Sequence, residues 1–292
     1  MPTFDTPGPI SVDVELGVGD IRIEASDRSE TVVEVRPGDP AKRADVAAAE
    51  QTRVEFANGH LLVKGPSGWR QWMPNQGSGS IDVAIHLPEG SSVRAEAGVA
   101  ALHGRGRIGE CRGKFGVGDV QLDETGSVDV KTGAGDIRVE RVVGRAQIVT
   151  GSGAVRIGSI EGTAAVKNSN GAIWIGEVTG DARMSAANGP IFVDRAREGI
   201  VAKTANGDVR LGEVARGASI AQSAMGDVEV GIREGVVAWL DLHTKFGEVQ
   251  NDLDTSENPG ASEHTAEVHA STSYGDVVVH RASASGSARE AS

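Results

Sequence analysis

A glycine returns almost every 18 residues between Gly118 and Gly235, and a chain with that beat has few ways to fold. One series runs Gly118, Gly135, Gly153, Gly171, Gly189, Gly207 and Gly226. A second runs Gly126, Gly144, Gly162, Gly180, Gly199, Gly217 and Gly235. A fixed period of this length specifies a solenoid, in which each unit buries its apolar face only by stacking on its neighbours.

The residues around each glycine say which solenoid. Two positions after the first series stand Val120, Ile137, Val155, Ile173, Ile191, Val209 and Val228. Four positions after it stand Leu122, Val139, Ile157, Ile175, Val193, Leu211 and Val230, with a mostly polar residue between. That alternation is the mark of a half-buried strand. A second strand precedes the glycine, with Val130, Ile148, Val166, Met184 and Ala202 in register. A third apolar position follows at Val142, Ile160, Val178, Ala196 and Val214. Three short apolar strokes per 18 residues, turned at Gly or Asn-Gly corners, predict an all-β fold: a single-stranded, three-sided parallel β-helix, or β-solenoid. Aromatics make up only 3% of the chain, as suits a narrow tube packed with small and β-branched side chains. Asn170-Gly171, Asn188-Gly189 and Asn206-Gly207 are pairs that tolerate positive φ at a tight corner. Thr132, Thr150, Asn168 and Thr204, three residues before the glycine, are spaced to form polar ladders between coils.

Residues 1–95 are rich in alternating strand patterns but lack the beat, and are expected to form a β-rich cap over an open end of the solenoid. Within them Asn58-Gly59 signals a hairpin, and about 39–50 reads as one short helix with Asp39 as its cap. Gly17-Val18-Gly19-Asp20-Ile21-Arg22-Ile23 already resembles a repeat, which softens that boundary. The solenoid is expected over 96–281, with an inserted loop near Asn251 to Ala266, and residues 282–292 read as a disordered tail.

A formal net charge of −12 argues against binding nucleic acid over a broad surface. The single cysteine, Cys111, permits no disulfide within the chain, which suits a reducing compartment. No signal-peptide pattern or membrane span is read, so the expectation is a cytoplasmic protein without membrane insertion.

Lys-Thr-Gly-Ala-Gly-Asp-Ile-Arg-Val (131–139) and Lys-Thr-Ala-Asn-Gly-Asp-Val-Arg-Leu (203–211) resemble a bacterial family of unknown function labelled as adhesins, part of the wider toast-rack group of β-solenoid domains. The resemblance spans roughly residues 10 to 280. It implies the fold and no recognised catalytic residue. It also implies a surface role for some relatives, many of which carry a signal or membrane segment that is not read here. An accessory part in envelope-stress or transporter systems is the functional expectation the family adds.

The recurrent Gly-Asp corner (Asp20, Asp119, Asp136, Asp208, Asp227 and Asp276, with Glu248 in the same place) reads as turn capping or as a calcium ladder. Ala154, Ala172 and Pro190 break the column, and each corner supplies one carboxylate, which favours capping. Asp208 and Asp227, one coil apart, approach the spacing of a glycosidase pair, but no long loop beside them would build a cleft. The seven histidines have no metal-ligand spacing, and no catalytic residue, cofactor or metal is expected. What stands out is an outward stripe, Arg138, Arg156, Trp174, Phe192 and Arg210, each 18 apart, with Lys114, Lys131, Lys167 and Lys203 as a basic column on a neighbouring strand. The stripe reads either as side chains bracing one another or as a binding surface for an anionic or aromatic partner. Trp69 and Trp72, in the Gly-rich loop between Gly65 and Gly79, read as a lid over the tube mouth or as a recognition tip.

The expected role is therefore a non-enzymatic interaction or scaffold module with an unidentified protein partner. The alternative is a carbohydrate-binding adhesin or a polysaccharide-lyase-like enzyme. Self-assembly through solenoid ends is a third reading, and the oligomeric state is left open.

Overall fold

The computed structural model describes residues 1–66, 79–253 and 265–282. It is nearly all β and divides into two compact units, Met1–Gly153 and Ala154–Ser292. Each is a parallel β-solenoid.

The first unit contains β1 (Thr3–Asp5), β2 (Ser11–Ser26), β3 (Glu30–Pro37), α1 (Arg43–Gln51), β4 (Arg53–Ala57), β5 (His60–Lys64), β6 (Ser80–Pro88), β7 (Ser92–Val117), β8 (Val120–Ala134), β9 (Ile137–Val142) and β10 (Ala146–Ser152). β2 already behaves as a coil. It pairs in parallel with β7, Ile21 beside Leu102, and Gly19 takes φ +152° like the glycines of the later series. Its other edge takes β5 and β6, also in parallel. Beyond these the chain turns antiparallel: β4 on β5, β3 on β6, and short β1 on β3. The helix begins at Arg43, after Lys42, which makes no side-chain cap. Asp39 lies a turn earlier, and its Oδ1 accepts the Ala41 N–H (3.0 Å). Buried Asp45 ties the helix down by accepting the backbone N–H groups of Asp39 (3.0 Å) and Ser80 (3.1 Å).

The second unit contains β11 (Val155–Ile160), β12 (Ala164–Asn170), β13 (Ile173–Val178), β14 (Ala182–Asn188), β15 (Ile191–Ala196), β16 (Ile200–Asn206), β17 (Val209–Val214), β18 (Gly217–Met225), β19 (Val228–Ile232), β20 (Val237–Phe246), β21 (Val249–Asn251), β22 (Thr265–Tyr274) and β23 (Val277–Arg281). A coil uses two strands. In the coil of β13 and β14 the buried residues are Ile173 and Ile175, then Val178, then Ala182 and Met184, so the three inward strokes are present. Each stacks on its equivalent one repeat away: Val155 on Ile173, Ile173 on Ile191, Ile191 on Val209.

Stacking follows chain order only as far as β19. The neighbour of β18 is β22, with Ser219 beside Val268, and the neighbour of β19 is β23, with Val228 beside Val277. The coil of β20 and β21, earlier in the chain, stacks on the outside of that last coil. The final coil is thus inserted between two older ones.

The corners explain the glycine series. Gly207 has φ +135°, and a Cβ there would lie 2.6 Å from the Gly189 carbonyl oxygen of the coil below. Only glycine satisfies both the backbone angle and the close approach. Asn58 is the sole non-glycine with positive φ among the described residues. The asparagines before the corner glycines therefore serve another end. Asn188 Nδ2 donates to Asn170 Oδ1 (2.9 Å) and Asn206 Nδ2 to Asn188 Oδ1 (2.8 Å), forming an amide ladder up the corner. Just inside it the buried hydroxyls of Thr204, Ser223 and Thr272 and the half-buried hydroxyl of Thr244 donate to the glycine carbonyls of adjoining coils at 3.0, 2.8, 2.9 and 2.9 Å.

Gly207→Ala should destabilise the protein by about 1–3 kcal/mol, from backbone strain at positive φ and the carbonyl clash. Chemical denaturation of the purified variant measures this, and a surface control such as Ser185→Ala should leave the midpoint within about 0.5 kcal/mol.

Candidate functional site

The sequence places Arg156, Trp174, Phe192 and Arg210 on the outward positions of four successive strands, and the structure brings all four together. Arg156 pairs in register with Trp174, Trp174 with Phe192, and Phe192 with Arg210. The two rings stack with centroids 5.4 Å apart and planes 16° from parallel. The Arg156 guanidinium lies over the indole, 4.6 Å from its centroid, an attractive cation–π geometry. Trp174 keeps 38% of its surface in solvent even within this stack. At the other end Arg210 reaches Glu229 at 3.4 Å, and Glu229 also meets His280 Nε2 at 2.9 Å. Beside this column runs a second one of alternating charge, where Glu177 binds Arg195 at 3.2 Å and Arg197 at 2.7 Å. Arg197 chiefly, with Arg195, holds the Glu177 carboxyl below its usual range. The aromatic column thus offers two rings and the Arg156 cation next to a neighbouring column already neutralised.

Other candidate residues fare differently. Arg138 lies on β9 of the first unit, outward, and its Nε donates to Glu140 at 2.8 Å. The lysine column is interrupted: Lys114 stands beside Lys131, but Val149 follows Lys131, and Ser185 separates Lys167 from Lys203. Spacing Lys167 and Lys203 two coils apart lowers their repulsion, whereas Lys114 and Lys131 remain direct neighbours. Trp69 and Trp72 lie outside the described residues, as does the tail from 283 and most of the expected inserted loop.

The Gly-Asp corners resolve into a structural role. The backbone N–H of Asp227 donates to Asp208 Oδ1 (2.9 Å), that of Asp276 to Asp227 Oδ1 (2.8 Å), and that of Glu248 to Asp276 Oδ1 (2.8 Å). In the first unit Asp119 accepts the Asp136 N–H in the same way, at 2.8 Å. Each carboxylate caps the corner of the adjoining coil. Among the described residues no three of His, Cys, Asp or Glu converge as a metal site requires. Cys111 is buried, and burial pushes its thiol up to about 12, leaving too little thiolate for a nucleophile. A surface hollow of about 460 Å³ in the first unit, bordered by Glu24, His86, His103 and Gln121, is cross-bridged from within. His86 Nδ1 meets Glu24 at 3.0 Å, and His103 Nδ1 meets Gln121 at 3.3 Å.

The sequence beat concealed one surface. Asn206 is followed up its corner by Met225, then by Tyr274, then by Phe246. These three are 57%, 55% and 64% exposed, and the Tyr274 and Phe246 rings stack at 4.9 Å. On the outward side of the same end coil Trp239 meets the His269 ring edge-on at 5.6 Å. The signal was present as Phe-Gly and Tyr-Gly before Gly247 and Gly275, but these two residues are 28 apart and fall off the 18-residue grid.

Two predictions follow from this geometry. Asp227→Ala should lower stability by about 1 kcal/mol while Asp227→Asn retains most of it, because an amide oxygen still accepts the N–H; thermal unfolding of both variants checks this. His269 is held between Asp241 (3.1 Å) and Glu267 (2.9 Å), which raise its pKa, Asp241 first. The folded state therefore holds the proton more tightly than the unfolded chain. Its stabilisation is complete below the unfolded value of about 6.5 and fades as pH rises through the folded value. The His269 titration midpoint by NMR should lie above 6.5 and fall back on Asp241→Asn.

No curated protein matches the chain. Among solved structures it is similar to a candidate adhesin from Bacteroides fragilis at 12% identity and TM-score 0.38, covering 96% of each chain. It is similar to a candidate lipid-binding protein from Parabacteroides distasonis at 11% identity and TM-score 0.39, covering 94% of this chain and 95% of that one. A candidate cell-adhesion protein from Clostridium sporogenes matches at 11% identity and TM-score 0.25, covering 96% of this chain and 98% of that one. The glycine corners, parallel coils and capping aspartates accord with a sequence pattern matched over residues 10–284, and the chain belongs to the Toastrack DUF4097 family.

Proposed function

We propose that the protein is a non-enzymatic interaction module that binds a protein partner through the Arg156–Trp174–Phe192–Arg210 column. The observation that carries this reading is the half-exposed Trp174 ring, stacked on Phe192 beneath the Arg156 guanidinium. A rigid aromatic pair next to a cation is the composition from which binding hot spots are built, since few rotamers are lost on docking. The chemistry suits a segment presenting an acidic group beside a flat or apolar one. Parallel pairing on both sides fixes the backbone under Trp174 and Phe192, so the ring pair needs no reorganisation to bind. The occupied carboxylates of the Gly-Asp corners support a role in binding rather than catalysis. A cytoplasmic site of action is part of this proposal, tested by fractionation of the native cell.

The double variant Trp174→Ser/Phe192→Ser should keep the wild-type circular dichroism spectrum, because both side chains point outward. It should also lose the partners that wild type retains in affinity purification from the native cell. Retention of every partner by the folded double variant overturns the assignment and leaves the column a brace between coils.

A further inference from the structure

We infer that the end coil of the second unit, β20 with β21, is the interface through which two copies of this chain associate about a two-fold axis. The coil is an unfinished end. β20 pairs on one edge with β22, and among the described residues no strand lies on its other edge. The core stops short there as well. Val268 and Ala270 on β22 are 0% and 1% exposed, whereas Leu240 and Leu242, stacked on them, are only half-buried. Val249 is 47% exposed although its neighbour Val277 is 0%. Free backbone donors and acceptors beside unburied core residues are what a pairing edge offers.

The outward side chains of β20 identify the occupant. Reading along the strand they are Trp239, Asp241, His243 and Lys245, all exposed. Reversed, the series is its own complement. A second β20, antiparallel and centred on Leu242, sets Asp241 opposite His243 and Trp239 opposite Lys245 of the second copy, and the two Leu242 side chains meet on the axis. Acid then faces base and ring faces cation at each outward position. Asp241 already lies 3.1 Å from the His269 ring in its own chain, so the imidazole of the second copy's His243 joins an existing cluster.

The first unit terminates in a way that limits assembly to a closed pair. Its antiparallel β4 is five residues long and exposes Arg53 and Glu55, β1 has three residues, and α1 covers β3 and β6. Short, charged and covered edges resist pairing. A head-to-tail contact needs two open ends and would grow into a filament, whereas an isologous contact uses the same end twice and closes. This inference is independent of the aromatic column assigned above.

Light scattering after size exclusion of the full chain, at micromolar concentration, should give twice the chain mass. Leu242→Lys places two like charges on the axis and should weaken association by roughly tenfold or more, with the circular dichroism spectrum unchanged. Asp241→Lys alone should also weaken it, and Asp241→Lys/His243→Asp should restore it, since the swap recreates the opposed pair in this register only. That swap decides the matter if Leu242→Lys unfolds the end coil. A monomeric wild type, a mass that grows without limit with concentration, or a charge swap that restores nothing would each overturn the inference.

Discussion

As far as β19, each coil of the second unit lies in parallel on the next at an offset of one repeat, so a side chain rests on its own equivalent. Isoleucine or valine lies on isoleucine in the core, asparagine on asparagine at the corner, and tryptophan on phenylalanine outside. Backbone pairing of this kind turns an 18-residue sequence period into vertical neighbours about 4.8 Å apart. It also sets the demands on the corner, where two backbones must approach too closely for a Cβ. The glycines, the buried hydroxyls donating to glycine carbonyls, and the aspartates accepting from the next coil all answer that one requirement. Removing a hydroxyl or an aspartate takes a hydrogen-bond partner from a backbone group near the corner, and replacing a glycine strains it.

What the chain announces and what it conceals divide along this same physics. The inward positions were readable because burial on one face of a strand enforces alternation, and Val155 and Ile157 obey it. The outward column was readable because Arg156, Trp174, Phe192 and Arg210 share the core's period. Stacking order at the C-terminal end was not. Nothing in Gly247 or Gly275 records that the later coil lies inside the earlier one, since both present the same inward pattern to either neighbour. The role of the corner asparagines was hidden for a similar reason. Asn-Gly suggests positive φ at asparagine, but a repeating coil gives its amide a better use, an identical amide one step away. The helix began later than its Pro40 and Asp39 suggest, because Asp45 anchors it to β6 through Ser80, a contact between distant segments.

The charges show the same economy. The protein is acidic overall, with a formal net charge of −12, yet its acids are widely engaged. Glu177 answers two arginines, Asp208 and Asp227 cap corners, and Glu229 bridges Arg210 and His280. Arg156 instead faces a ring, which leaves the outer edge of its guanidinium available to a carboxylate arriving from outside. Under the proposed function, specificity depends on which outward columns lack a complement of their own.

The inserted last coil governs when the second unit can mature. During synthesis residues 237–251 emerge from the ribosome before 265–281, yet among the described residues β20 and β21 have their strand partners in β22 and β23 alone. Until residues 265–281 clear the exit tunnel, β18 and β19 lack the partners β22 and β23, and β20 and β21 have no coil to rest upon. Completion of this end therefore waits for β22 and β23, and a chain cut before β22 would lose the support of two coils rather than one.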